Sequence, residues 1–288
     1  MMIDAHHHLW DYNSEEYDWI DDSMNVLKRD YLPDDLKPEL SQTGVTGTVL
    51  VQARQSLEET GWLLELADKH AFIKGVVGWL DLCSPGLFQQ LEKYGAYSAL
   101  VGLRHVLHDE SDDAYMLRPD FMNGIARLEA CGLTYDLLLF PRHLLRAMEL
   151  AKAFPNQRFV LDHLGKPFIM DGIMEPWKSH ITRLAACPNV WCKLSGMVTE
   201  AHWKNWNYEK LLPYMEAVLE AFGPGRIMVG SDWPVCRLAG EYSEVMNMVL
   251  KFTDSMDKRD QKKILYQNAV DCYQLKLNDN GEEKVQGS

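Results

Sequence analysis

The chain alternates between short, nearly continuous apolar runs and longer stretches whose apolar residues recur every three or four positions. The short runs read as strands: residues 3–10, 48–52, 73–82, 99–104, 133–140, 158–163, 190–195 and 227–232. Between them, residues 33–43, 56–70, 85–94, 121–131, 141–154 and 177–186 read as helices. Local chemistry marks several boundaries. Pro33 and Pro141 suit the first helical turn, where the missing N–H has no partner to lose. Gly44 and Gly132 supply the residue that ends a helix. Ser56, with Glu59 three residues on, has the pattern of a helix N-terminus. Strands without polar alternation are covered on both faces, as in a parallel sheet. Strand and helix alternate around eight strands, which predicts an α/β fold, a single-domain (β/α)₈ TIM barrel.

The segment 11–31 breaks the rhythm. It is long for a connector, rich in Asp and Glu, and contains Tyr12, Tyr17 and Trp19. Two readings stand beside each other: an extended first βα loop folded over the barrel mouth, or a surface loop with its aromatics tucked against the body. The domain is expected to span 1–277. The polar, glycine-containing residues 278–288 are expected to form a tail.

Composition narrows the classes. The length of 288 residues suits one barrel, and nine tryptophans and twelve tyrosines predict a filled interior with an aromatic-lined pocket. A formal net charge of -13 opposes a phosphate backbone, so nucleic acid is not an expected partner. No run reaches the roughly 18 apolar residues of a membrane span, which predicts no membrane partner and a cytoplasmic protein. The six cysteines are scattered without a C-x-x-C pair, so neither a zinc knuckle nor a disulfide framework is expected.

In a barrel of this kind chemistry gathers where strands end. Strand period places His6 and His8 on one side of the first strand and His7 on the other. Two neighbouring imidazoles can hold a divalent cation or polarise a carbonyl. The other strand ends offer Gln52 and Arg54, Trp79 and Asp81, Arg104 with His105 and His108, Tyr135 or Asp136, His163 and Lys166, Lys193 and Ser195, and Asp232. Asp232 closes the last apolar run and precedes Trp233-Pro234, where proline stops the ladder. A carboxylate at that position sits beside the first strand once the barrel closes. There it can ligate a metal or take a proton from attacking water.

Asp4-Ala5-His6-His7-His8, Asp162-His163-Leu164-Gly165-Lys166-Pro167 and Gly230-Ser231-Asp232-Trp233-Pro234 occur in this order. Together they resemble the amidohydrolase superfamily, more narrowly its branch of lactone hydrolases acting on sugar lactones such as L-fuconolactone or L-rhamnonolactone and on 2-pyrone-4,6-dicarboxylate. The segment 268–273 is similar to that branch's terminal helix. The resemblance spans essentially the whole chain. It implies a hydrolase that opens the ring of a small-molecule sugar lactone, with Asp232 as general base and His163 contacting the carbonyl. It implies a metal site of His6, His8, His163 and Asp232 holding one divalent ion, zinc by preference, or working without metal. Arg104, Lys166, Trp79, Gln52, Ser195 and Trp233 are the expected substrate-binding residues, and a homodimer the expected assembly. Many superfamily members carry a metal-bridging lysine at the end of the fourth strand. Here Arg104 stands there, and a guanidinium cannot become a carbamate ligand, so a binuclear site is not expected. Two competing readings are hydrolysis of an aromatic-catabolism lactone, with Arg54, Arg104, Arg142 and Arg237 as carboxylate partners, or decarboxylation on the same scaffold. Outside enzymes, the alternative is a barrel that only binds a small ligand.

Overall fold

The computed structural model describes residues 1–276. The tail expected at 278–288 lies outside the described residues. Eight strands form one parallel sheet in sequence order: β1 (Ile3–His7), β2 (Gly47–Val51), β3 (Ile73–Gly78), β4 (Leu100–His105), β5 (Thr134–Leu137), β6 (Phe159–Leu161), β7 (Val190–Leu194) and β8 (Ile227–Val229). The sheet curls until its ends meet. Asp232 N donates to His6 O at 2.8 Å and His8 N donates to Trp233 O at 2.6 Å, joining the end of β8 to β1. The architecture is the (β/α)₈ barrel that the pattern of apolar runs predicts.

The helices α1 (Pro33–Thr43), α2 (Leu57–Lys69), α3 (Leu87–Tyr94), α4 (Pro119–Cys131), α5 (Leu144–Ala153) and α6 (Trp177–Ala185) match the helical stretches to within a few residues. Gly44 and Gly132 take the left-handed conformation at the ends of α1 and α4. Ser56 caps α2 by accepting from Glu59 N, but the Glu59 carboxylate turns instead to the backbone N–H groups of Ala53 and Arg54. That anchors the loop after β2. Helices α7 (Met197–Glu200), α8 (Tyr208–Phe222) and α9 (Tyr242–Thr253) complete the ring, and α10 (Lys258–Lys262) and α11 (Asn268–Tyr273) follow.

Several strands are shorter than their apolar runs. The third stops at Gly78 and the sixth at Leu161, where the chain turns out of the ladder. Two apolar groups hold the molecule. The larger packs helices on strands. The smaller draws Ile3, Val49, Val77, Val101, Val160 and Met228 from strands all round the sheet, so it fills the interior, and Cys272 and Tyr273 of α11 pack into it.

Residues 11–31 satisfy both readings of the first loop. Trp10 and Tyr31 pair as an antiparallel bridge at its base, and the Trp10 indole packs on Tyr17, Trp19 and Tyr31 with ring centroids 5.5–5.9 Å apart. Glu16, Asp18, Trp19 and Met24 then reach over the strand ends and line a cavity.

Candidate functional site

The cavity, about 640 Å³, opens at the carboxyl ends of the strands. Its floor is made by His8, His163, Asp232 and Arg104, its sides by Arg54, His108, Asp109, Lys166, Glu200 and Trp203, and its cover by the first loop.

The floor is a tight array of buried side chains. His8 Nε2 lies 3.2 Å from His6 Nε2 and 3.4 Å from Asp232 Oδ1. Asp232 Oδ1 is 3.7 Å from His6 Nε2 and 3.9 Å from His163 Nε2. His7 turns away to Thr48 Oγ1 at 2.9 Å, as the strand period requires. The backbone is forced at two of these positions. His163 and Asp232 both have left-handed φ values, 52° and 59°. Such residues persist only where their surroundings over-determine them. Around His163, Leu164, Gly165 and Lys166 are left-handed too, and Trp177 Nε1 donates to Leu164 O to hold the turn. Gly196, at φ 64°, leaves room for the ring, since a Cβ there would lie 2.5 Å from His163 Nδ1.

Hydrogen bonds orient each ring. His8 Nδ1 donates to Val51 O at 2.8 Å, so its Nε2 presents a lone pair. His163 Nδ1 pairs with Ser195 Oγ at 2.9 Å. Asp4, behind the floor, accepts from the backbone N–H of both His6 and Ser231, tying the first and last strands together.

A second layer lies beneath His6. Arg104 Nη1 is 3.3 Å from His6 Nε2 and donates to Asp162 Oδ2 at 3.0 Å. Lys193 is fully buried, 3.1 Å from His6 Nδ1, 2.9 Å from Asp162 Oδ1 and 2.6 Å from Asp136 Oδ2. Asp136 also accepts from Tyr273 Oη of α11 at 2.7 Å.

Burial and charge set the ionisation. Burial raises the Asp232 carboxyl, but the surrounding imidazoles, His163 foremost, outweigh it and hold the group well below the usual carboxylate range. Burial lowers His163 to about 4, against the opposing pull of Asp232 and Asp162. Burial likewise keeps His6 well below its ordinary value. Of the two carboxyls on Lys193, burial lifts Asp136 to about 6, while Lys193, His6 and Arg104 overcome burial at Asp162 and keep it low. At neutral pH the floor therefore sets the neutral imidazoles of His6 and His163 around one carboxylate, with Arg104 beside them.

Among the described residues, two donor groupings could hold a metal ion: His6, His8 and Asp232, and His6, Asp162 and His163, with ligand atoms in each set within 4.8 Å of one another. The first fits a divalent cation chemically. The His8 lone pair and the Asp232 carboxylate face each other with no proton fixed between them, and two imidazoles with a carboxylate are a zinc-type donor set.

The structure brings His6, His8, His163, Asp232, Arg104 and Lys166 together, as the sequence analysis expects of them. Four expected substrate contacts fall elsewhere among the described residues. Gln52 is buried and donates to Arg104 O. Ser195 is spent on His163. Trp79 Nε1 donates to His105 Nδ1 at 3.2 Å, and His105 pairs with Glu110. Trp233 packs edge-on against Tyr31 at the loop base. None of the four lines the cavity. The reason is common to them: at a strand end the two side-chain directions alternate between cavity and wall, and a bulge or turn reassigns them. Of the four arginines considered for a dicarboxylate, Arg54 and Arg104 line the cavity; Arg142 pairs with Asp113 and Arg237 with Glu241 outside it. Asp162, Asp136 and Lys193 carry the second layer. A charged residue inside an apolar run is their signal, but it does not tell which side chain they serve.

Comparisons with known proteins identify the family. Residues 3–275 match the family model described as Amidohydrolase. The chain is 40% identical over 286 residues to the L-fucono-1,5-lactonase of Burkholderia multivorans, covering 96% of each chain. It is 38% identical over 242 residues to the enzyme of that name in Burkholderia ambifaria, covering 84% of this chain and 83% of the relative. A crystal structure of an amidohydrolase from Burkholderia multivorans with bound zinc superposes with a TM-score of 0.93 at 39% identity, covering 96% of this chain and all of the other.

Proposed function

Because the chain belongs to the amidohydrolase family, a family of hydrolases, we propose that it opens the ring of a sugar lactone, L-fuconolactone or a related aldonolactone, by adding water to the ring carbonyl. The observation that carries this reading is the convergence of His8, His163 and Asp232 on the floor of one cavity, with His6 packed directly beneath them.

Asp232 is ionised at neutral pH and accepts a proton from the attacking water. So low a carboxyl is a weak base alone, which is why the imidazoles around it matter: they hold the carbonyl where charge develops. His163 and Arg104, the donors that face the cavity, stabilise the oxyanion, typically the largest single contribution to such catalysis. The ring C–O bond then breaks, and the proton on Asp232 passes to the leaving hydroxyl. The single product is a hydroxy acid, whose new carboxyl ionises and releases a proton. His6, His8 and Asp232 would hold a divalent cation, zinc by preference, with His163 beside it. When bound, such an ion supplies Lewis-acid polarisation and lowers the pKa of bound water toward about 7.

The cavity walls favour a neutral polyol over an acid. Each cation on them has a carboxylate partner: Arg54 with Glu16 at 3.0 Å, Arg104 with Asp162, and Lys166 with Glu200 at 2.5 Å. Asp18 and Asp109 add further negative charge. A dicarboxylate would meet acidic walls, whereas hydroxyls can donate to them and sugar faces can stack on Trp19 and Trp203.

Proton release from a panel of six-carbon aldonolactones and of pyrone lactones tests the reading, with elemental analysis of untreated protein alongside. Turnover of aldonolactones is expected. Turnover confined to pyrone dicarboxylates, or none with any lactone, would overturn it.

A further inference from the structure

Trp79 and His105 stand at or just past strand ends, yet neither lines the cavity, and the chemistry above uses neither. The structure joins them. Trp79 Nε1 donates to His105 Nδ1 at 3.2 Å, and His105 Nε2 lies 2.7 Å from Glu110 Oε1. A tryptophan N–H can only donate, so Nδ1 carries the lone pair. The ring proton is then on Nε2, where it donates to the Glu110 carboxylate. Burial holds the ring below its ordinary value against the pull of Glu110 and Asp81, and a second proton would have to sit on Nδ1, facing the Trp79 N–H. Aromatic contacts fix the ring plane: Tyr115 stacks on it at 13° with centroids 5.2 Å apart, and Phe121 of α4 meets it edge-on. Trp79 is itself anchored, since its backbone N–H donates to Thr60 Oγ1 of α2 at 2.9 Å.

What this ring holds is the turn that follows β4. Within residues 106–110, Asp109 N donates to Val106 O and Glu110 N to Leu107 O, each at 3.3 Å. Leu107 is buried, while Val106, His108 and Asp109 line the catalytic cavity. The His105–Glu110 bond clasps the turn end to end, and at its start Gln55 Oε1 accepts from Val106 N at 2.9 Å. We propose that His105 is a positioning residue: oriented by Trp79 and clasped to Glu110 as its Nε2–H tautomer, it fixes the turn 106–110 and so sets His108 and Asp109 as the cavity wall that selects among hydroxylated lactones. A ring outside the cavity thereby governs affinity and leaves the floor that adds water untouched. What the wall contacts rests on the lactone reading; the tautomer and the clasp do not.

Nitrogen-15 NMR of the histidine rings gives the first test and needs no variant to fold: His105 is expected protonated on Nε2, and an Nδ1–H form would overturn the proposal. Steady-state kinetics on L-fuconolactone give the second. Glu110→Ala opens the clasp and is expected to raise KM about tenfold, the worth of roughly one hydrogen bond, with kcat nearly constant. Glu110→Gln keeps an acceptor for the Nε2–H and is expected to stay within about twofold of wild type in KM. His105→Phe keeps the stack on Tyr115 but neither hydrogen bond, and is expected to match Glu110→Ala. The His108 ring resonances are expected to move in Glu110→Ala and to stay in place in Glu110→Gln. An unchanged KM or an unmoved His108 in Glu110→Ala would overturn the proposal. So would a kcat that falls in step with kcat/KM, or equal damage from the Gln and Ala variants. Wild-type protein that turns over no lactone, yet shows the expected tautomer and His108 shifts, would keep the clasp and refute the lactone reading.

Discussion

The floor of the cavity and its cover are built by different physics. On the floor, each polar side chain is buried and held by two or more partners fixed on strands: His6 by Lys193 and Arg104, His163 by Ser195 and the left-handed turn, Asp232 by the seam to β1. In the cover, Glu16, Asp18 and Trp19 sit on a loop whose aromatic base is packed but whose tip is solvated, with the partly exposed ion pairs Arg54–Glu16 and Arg29–Asp35 joining it to the barrel. A buried array cannot move one member without stranding another, whereas an exposed pair exchanges with water at little penalty. Rate should therefore be decided on the floor, and affinity for the particular lactone at the cover.

Four substitutions can break or sharpen this contrast. Asp232→Asn removes the base and should lower kcat by about 10²–10⁴, the usual reach of general base catalysis. Steady-state kinetics on a variant with an unchanged circular dichroism spectrum decides it, and near-normal turnover would refute the role. Gly196→Ala is next. Its Cβ would press on His163 from 2.5 Å, and its left-handed φ would add about 1–2 kcal/mol of strain. Turnover should fall tenfold or more while denaturant unfolding records only that modest loss; an equal fall in KM-controlled binding with kcat intact would assign Gly196 to the cover instead. Arg54→Met, which removes the Glu16 tie between the loop and the barrel, should raise KM several-fold with kcat nearly constant, and change stability by less than about 1 kcal/mol. A drop in kcat matching that of the floor variants would erase the distinction drawn here.

The smallest effect concerns pH. His108 lines the wall, and burial first, then Lys166 and Arg104, lower it to about 3. Between about 3 and its ordinary 6.5 the unfolded chain binds a proton there that the folded protein does not, so unfolding free energy falls as pH drops through that window. His108→Gln should lose less stability than wild type between pH 7 and pH 4 in parallel urea titrations. Parallel lines for the two proteins would show that His108 titrates alike in both states.

Much of the fold was open to reading along the chain because barrel strands buried on both faces write themselves as apolar runs. The convergence of His6, His8 and Asp232 could be anticipated as well: strand period and barrel closure bring the first and last strand ends together whatever the loops do. Trp79, Gln52, Ser195 and Trp233 show where that reasoning stops. Each stands at a strand end, yet whether its side chain faces the cavity or the wall depends on where the ladder breaks, and β3 and β6 break earlier than their apolar runs. The helices α8 and α9 had no place in the expected pattern either.

What the sequence by itself determined was the order of the elements and the chemical kinds gathered at their ends, because both follow from local periodicity and from closure. What only the tertiary structure decided was who faces whom. Lys193 under His6, Asp162 between two cations and Glu16 against Arg54 are contacts between residues 31 to 187 positions apart or set across a loop, and no local rule ranks one such partner over another. Their energies arise from burial and mutual charge, which exist only once the chain has closed on itself.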